Sequence, residues 1–285
     1  MNLRPMDFAG NWYPSGQEAC ARKIRTLMSG TPETVDVTES RLGIVPHAGW
    51  LFSGALAASV FGALQGGSEV PLVIVLGGHL GVGDPIIAMT EGGWETPLGS
   101  FRIHQGFRAA LEKFPSVVWE TPHRYQQDNS TELQLPFAKF CFPQAELLPI
   151  RVPPSGIAVE LGRALGDYLA DHAPDAVVVA STDLTHYGPG YGFEPHGRGE
   201  AALRWVKEEN DPAFMSAVGR GEAREVLETA RLYRNACSPG AVAAAMEIAA
   251  QGRKRFEAIG YASSADIGPR DKENFVGYMG GVFGA

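Results

Sequence analysis

The sequence predicts a layered α/β architecture, with a central, mostly buried sheet flanked by helices. Three apolar runs of strand length, Leu42–Pro46, Leu72–Gly78 and Ala176–Ala180, carry no polar residue. Unbroken apolar character of that length is the pattern of strands covered on both faces. Segments with apolar residues at helical spacing alternate with these runs, which argues for strands layered against helices. The 35 glycines and 20 prolines are spread out, so they mark many turns and no single linker. At 285 residues and 45% apolar content the chain can build one large core or two small ones.

Taken in order, Ser15-Gly16-Gln17-Glu18 reads as a capping box ahead of Ile24, Leu27 and Met28, with a stop at Gly30. The polar segment between Gly30 and Ser40 reads as a loop. After the first apolar run, Ser53 is placed to cap a helix carrying Leu56, Val60, Phe61 and Leu64. Ser155 opens another, with Val159, Leu161, Leu165 and Leu169 on its apolar side. Asp211-Pro212 and Ser238-Pro239 each read as a cap followed by proline at the first helical position. The second of these helices carries Val242, Ala245, Met246 and Ala249 and ends near Gly252. Phe256–Tyr261 and Phe275–Phe283 have strand character.

Each of the three apolar runs leads to a histidine. The first meets His47 and the second His79; the third passes through Ser181-Thr182-Asp183-Leu184-Thr185 to His186. In open α/β sheets ligands bind beyond the carboxyl ends of the strands, and imidazole both binds metals and exchanges protons near neutral pH. Any one such histidine is ordinarily a hydrogen-bonded residue in a buried turn. The repetition of the context favours a site. Asp183, three residues before His186, is placed to orient that imidazole and raise its basicity. A phosphate-cradling loop at Gly77-Gly78-His79-Leu80-Gly81-Val82-Gly83 lacks the lysine and the following helix such loops need. A serine hydrolase built on Ser181 lacks the Gly-x-Ser-x-Gly elbow.

Among three cysteines, Cys237 directly precedes the Ser238-Pro239 helix start, where a thiolate is stabilised. Cys20 and Cys141 read as core residues. His104, His123, His172 and His196 read as surface or turn residues, and Glu132 as either a carboxylate near the site or a plain helix-start glutamate.

Net charge of −8 with scattered basic residues excludes a general nucleic-acid footprint. The short cluster Arg253-Lys254-Arg255 reads as a solvated helix end. No stretch approaches the roughly 20 apolar residues of a membrane span. Met1-Asn2-Leu3-Arg4-Pro5 lacks a signal-peptide core, and three widely spaced cysteines make no disulfide framework. The expectation is a cytoplasmic protein with reduced thiols that binds neither nucleic acid nor membrane.

Several segments together resemble the Memo-like family, whose bacterial and archaeal members are called AmmeMemoRadiSam system protein B. They are Arg4-Pro5 through Gly10-Asn11-Trp12-Tyr13-Pro14, Pro46-His47-Ala48-Gly49-Trp50 with Ser53-Gly54, and Thr96-Pro97-Leu98-Gly99. Further along come Gln134-Leu135-Pro136-Phe137, Ser181 through Tyr187, the Cys237 segment and Val276-Gly277-Tyr278. The resemblance implies one domain over residues 1–285, similar in fold to the class III extradiol dioxygenases. It implies a metal site of His47, His79 and Cys237, with His186 as the neighbouring acid/base group. This chain departs from the family pattern in three places. Asn129 stands where a histidine is usual, the loop before His79 is one residue shorter, and Cys237-Ser238-Pro239-Gly240 replaces Cys-Gly-x-Gly.

The functional expectation is a mononuclear non-haem metal enzyme, an iron(II)-dependent, dioxygenase-like oxidoreductase acting on a small molecule or peptide. His47, His79 and Cys237 are the expected ligands; His186 and Asp183 are the expected catalytic pair. Copper and zinc also suit a set containing a thiolate. A non-catalytic metal- or peptide-binding protein on the same scaffold is the second expectation, and a zinc hydrolase the third. The genomic company of family members implies a radical-enzyme pathway partner. This chain has no cysteine cluster for an iron–sulfur centre of its own.

Overall fold

The computed structural model describes residues 1–30, 40–66, 69–89, 91–267 and 273–284. The loop expected between Gly30 and Ser40 falls at 31–39, outside the described residues. At the centre four strands lie side by side in the order Leu42–Val45, Val177–Ser181, Leu72–Gly77, Glu146–Arg151, all parallel. On one flank Phe275–Gly284 runs antiparallel to Leu42–Val45 and pairs with Arg255–Ser263 and His186–Tyr187. On the other, Ile86–Met89 runs antiparallel to Glu146–Arg151 and parallel to Val117–Glu120.

The apolar runs are continuous because both faces of this sheet are covered, and the period of two sorts their side chains into two cores. Leu72, Ile74, Leu76, Val178 and Ala180 pack with Val159, Leu161 and Leu165 and with Val242, Ala245 and Met246. Those partners lie on the helices Gly156–His172 and Pro239–Gln251. Val73, Val75, Val177 and Val179 point the other way, onto Ile24, Val60, Phe61, Leu64 and Phe137. Truncating one such Leu or Ile to Ala costs about 2–5 kcal/mol. The two helices of the first core pack closely: a Cβ on Gly162 would lie 2.7 Å from that of Glu247.

Ser155 caps its helix as expected, accepting from the Ile157 amide at 3.4 Å. Pro239 occupies the first turn behind Ser238 as expected, although the Ser238 side chain makes no cap bond. Three other helix starts differ. The first helix, Gln17–Met28, has Gly16 at its cap and no side-chain cap bond, so Ser15 is one residue too early for a capping box. Ser53 stands at the cap of Gly54–Ala63, but its hydroxyl donates to the Ala48 carbonyl at 2.9 Å. Asp211 is no cap: Glu200–Trp205 passes through a π-helical turn, Val206–Asn210, straight into Asp211–Arg220. The wider turn accommodates Pro212, whose missing N–H would break a regular α-helical ladder.

A smaller sheet of Leu3–Arg4, Gly93–Thr96 and Gly99–Arg102 lays the N-terminal segment against the body. No described helix is long and apolar enough to cross a membrane. Because the four central strands are parallel, they all end on one edge. His47, His79 and the Asp183–His186 loop leave the sheet there.

Candidate metal centre

His47 follows Pro46 off its strand and is 1% exposed. Its amide donates to Asp183 Oδ1 at 2.7 Å, and its carbonyl accepts from Asn129 Nδ2 at 3.0 Å. Its Nδ1 lies 3.0 Å from Ser181 Oγ, which also accepts from Gln134 Nε2 at 3.2 Å. Ser181, fully buried, therefore braces the imidazole and is no nucleophile at an open site. A ring held at Nδ1 presents Nε2 to the groove.

His79 is carried by a different device. Gly78 before it has φ +106°, and a Cβ there would sit 2.7 Å from that of Arg151. Glycine is therefore required where the chain turns over the neighbouring strand. The Gly78 amide donates to Ser130 Oγ at 2.7 Å. His79 Nε2 comes to 3.1 Å from His47 Nε2, with the rings nearly perpendicular at 75°. Its Nδ1 faces Asp128 Oδ2 at 3.5 Å.

Cys237 arrives from the third direction, two residues ahead of the Pro239–Gln251 helix. Its amide donates to the Asp183 carbonyl at 3.2 Å, and the Asp183 amide donates to its sulfur at 3.1 Å. The sulfur is 3.0 Å from His47 Nε2. Burial pushes the thiol up, but the imidazoles of His47, His186 and His79 outweigh it and hold the group well below the usual thiol range. Burial likewise disfavours the His47 imidazolium, and Cys237 and Asp183 reverse that, raising it.

One ligating atom each from His47, His79 and Cys237 lies within 4.8 Å of the others. His47 Nε2 lies 3.1 Å from His79 Nε2 and 3.0 Å from the sulfur, separations comparable with the edges around a single four-coordinate ion. Both Nδ1 atoms face oxygen acceptors behind the rings, which leaves the Nε2 lone pairs for a cation. The residues fit a transition-metal ion on donor chemistry and on second contacts alike.

The fourth imidazole stands beside this trio. His186 Nε2 is 3.7 Å from Asp183 Oδ2, an ion-pair distance too long for a hydrogen bond. That nitrogen is buried and has no hydrogen-bond partner. Burial would lower its pKa; Asp183 and Cys237 instead raise it to about 10. So all five residues singled out from the sequence share one site. A groove of about 770 Å³ opens over it, bordered by Asn11, Trp12, Leu51, Phe52, Asn129 and Tyr191.

Glu132 belongs elsewhere. It is fully buried and accepts from the amides of Asp7 and Phe8 and from the Tyr13 hydroxyl at 2.8–3.0 Å, anchoring the N-terminal segment. Cys20 and Cys141 pack in the second core. His104 is taken up by Glu146 and Tyr168 at 2.6 and 2.7 Å. His123, His172 and His196 are exposed. Sequence reasoning missed Asp128 and Gln134. The one local signal was an Asp directly before Asn129-Ser130-Thr131-Glu132, the arrangement of a helix cap.

The model of the Memo-like protein family matches residues 4–282. A MEMO1 family protein from Methanopyrus kandleri, MK0963, is 31% identical over 287 residues, covering 96% of each chain. Another from Thermococcus onnurineus is 28% identical, covering 96% of this chain and 97% of its own. A solved structure, the uncharacterized protein JW3007 from Escherichia coli K12, aligns at TM-score 0.47 and 12% identity, over 87% of this chain and all of that one.

Proposed function

The chain belongs to the Memo-like family, and from that premise we propose that it is a mononuclear non-haem iron(II) protein of dioxygenase-like, oxidoreductase chemistry. His47, His79 and Cys237 hold the metal in this reading. The observation that carries it is the convergence of those three donors, with His47 tied back through Nδ1 to Ser181 and His79 Nδ1 facing Asp128 at 3.5 Å. A placement at the carboxyl edge of a parallel sheet is in keeping with the kinship to class III extradiol dioxygenases that the sequence resemblance implies.

Bound iron(II) would supply redox chemistry toward O2. The protein supplies the rest. His186, which lines the groove and whose Nε2 has no hydrogen-bond partner, gives or takes a proton on a substrate there. Asp183 stabilises the charged imidazole and, through the His47 amide, keeps the acid/base group in register with a ligand. Trp12, Leu51 and Phe52 give the groove an apolar wall for a small molecule or a peptide side chain. The thiolate also suits copper or zinc, and zinc in this set would support hydrolysis of a substrate by an activated water.

Anaerobic purification with elemental analysis tests the centre. The wild-type chain retains stoichiometric iron, and His47→Ala and His79→Ala lose it. Unchanged metal content in those variants would sink the ligand assignment. Oxygen uptake with catechol or thiol substrates then tests the enzyme reading. One specific feature favours a second reading: Leu51 is 73% exposed at the groove mouth, beside Trp12 at 39% and Phe52 at 37%. Such an exposed apolar rim suits a peptide-binding protein. Peptide binding by metal-free protein without oxygen uptake decides for it.

A further inference from the structure

His47 and His79 are held very differently. His47 is buried and braced at its amide, its carbonyl and Nδ1. The His79 side chain is 40% exposed and rides a loop with glycines at 78, 81 and 83. The contact at its Nδ1 is Asp128, whose side chain is only 5% exposed.

We propose that Asp128 is the positioning residue of the metal centre: it accepts the Nδ1 proton of His79 and so directs Nε2 toward the ion. This rests on the metal-centre reading above. The two oxygens of Asp128 divide the work. Oδ1 accepts from the Thr131 amide at 3.2 Å and from the Ser130 hydroxyl, capping the Asn129–Glu132 turn. Oδ2 is left for His79, with Arg151 Nη1 at 3.9 Å beyond it. The Ser130 hydroxyl in turn accepts the Gly78 amide. One short segment thus sets both the loop that carries His79 and the ring on it.

The carboxylate is itself fixed from behind by a chain of buried charges. Arg151 pairs with Glu120, and Glu120 pairs with Arg4 at 2.9 Å. The Arg4 guanidinium lies between the rings of Trp94 and Tyr125, 3.7 and 4.0 Å from their centroids. Arg4 is 1% exposed, and Glu120 and Arg151 are each 6% exposed. Packing on both faces of Arg4 leaves this chain little freedom to rearrange, so Asp128 Oδ2 is held where His79 needs it. A carboxylate on the far nitrogen of a ligating histidine selects the tautomer with a free Nε2 lone pair and strengthens it as a donor.

The ordinary alternative is that Asp128 is a helix cap and nothing more. Two variants separate the roles. Serine and asparagine cap helices as well as aspartate does. Serine is too short to reach His79. Asparagine has a single oxygen, which cannot serve both the Thr131 amide and His79. The probe is Co2+, titrated against a competing chelator, with apo-protein thermal stability measured in parallel. The expected result is a 10- to 100-fold loss of Co2+ affinity in Asp128→Ser and Asp128→Asn, in apo proteins that still unfold cooperatively but are less stable than wild type, because buried Arg151 loses the anion facing it. Wild-type affinity in folded variants would overturn the role of Asp128 alone. A wild-type chain that fails to bind Co2+ would overturn the centre itself. A readout free of any variant is the 15N–1H imidazole spectrum of the Zn2+-loaded wild type. His79 must show a slowly exchanging proton on Nδ1, and its absence counts against the proposal even if both variants fail to fold.

Discussion

The backbone amide of His47 donates to the side chain of Asp183 at 2.7 Å, joining two strand-end loops at the carboxyl edge of the sheet. The same carboxylate lies 3.7 Å from His186 Nε2. Asp183 therefore has a structural duty at one oxygen and an electrostatic one at the other, and substitutions can separate them. Asp183→Asn keeps an acceptor for the His47 amide, whereas Asp183→Ala leaves that buried donor unsatisfied. Denaturant unfolding of the apo protein should show Asp183→Ala less stable than Asp183→Asn by about 1–3 kcal/mol. Oxygen-uptake activity should fall in both. Equal stability of the two variants would mean that the His47 amide finds another partner.

Gly78 is the pivot that brings His79 over Arg151. Its φ of +106° and the 2.7 Å approach of a Cβ to that of Arg151 make both a bend and a clash for any larger residue. Gly78→Ala should destabilise the protein by about 1–3 kcal/mol. It should also weaken Co2+ binding, because the loop must move to relieve the contact. Gly83 has an open surrounding, so Gly83→Ala is the matched control, with both quantities near wild type. A Gly78→Ala protein that unfolds and binds Co2+ like that control contradicts the pivot.

The sequence exposed those parts of the fold and site whose causes are local. Strands covered on both faces need apolar residues at every position, so Leu72–Gly77 and Val177–Ser181 were plain. The strand Glu146–Arg151 was not. It carries Pro149, and proline speaks against a central strand. Here its neighbour Ile86–Met89 pairs only at Arg151 and Ile150, so the missing N–H at 149 breaks no bond in that ladder. His47, His79 and His186 were visible because they end strands, and Cys237 because it opens a helix. Asp128 was hidden because its function depends on a neighbour 49 positions away in sequence, His79. Asp211 looked like a cap for a similar reason. Its Pro212 signal was genuine, but the residues before it form a π-helical turn whose last residue, Asn210, bonds to Thr185 and Tyr233, both distant in sequence.

Asp211 carries a pH dependence of its own. Its carboxylate is fully buried, accepting from the Thr185 amide at 3.1 Å and the Tyr261 hydroxyl at 2.8 Å. Burial outweighs these hydrogen bonds and raises its pKa from the ordinary 3.8 to about 6. A folded-state pKa above the unfolded value means that the protonated form is favoured by folding. The associated stability is fully present below pH 3.8 and is lost as pH rises through about 6. Its size is about 3 kcal/mol, by the conversion of one pKa unit to 1.36 kcal/mol. Asp211→Asn cannot ionise, so it should remove this falling contribution between pH 4 and 6 and become relatively more stable at pH 7 than at pH 4. Urea unfolding at a series of pH values, wild type against variant, measures the difference. If the stability gap between the two proteins does not change with pH, the carboxyl titrates alike in the folded and unfolded states, and the hydrogen bonds of Thr185 and Tyr261 offset burial.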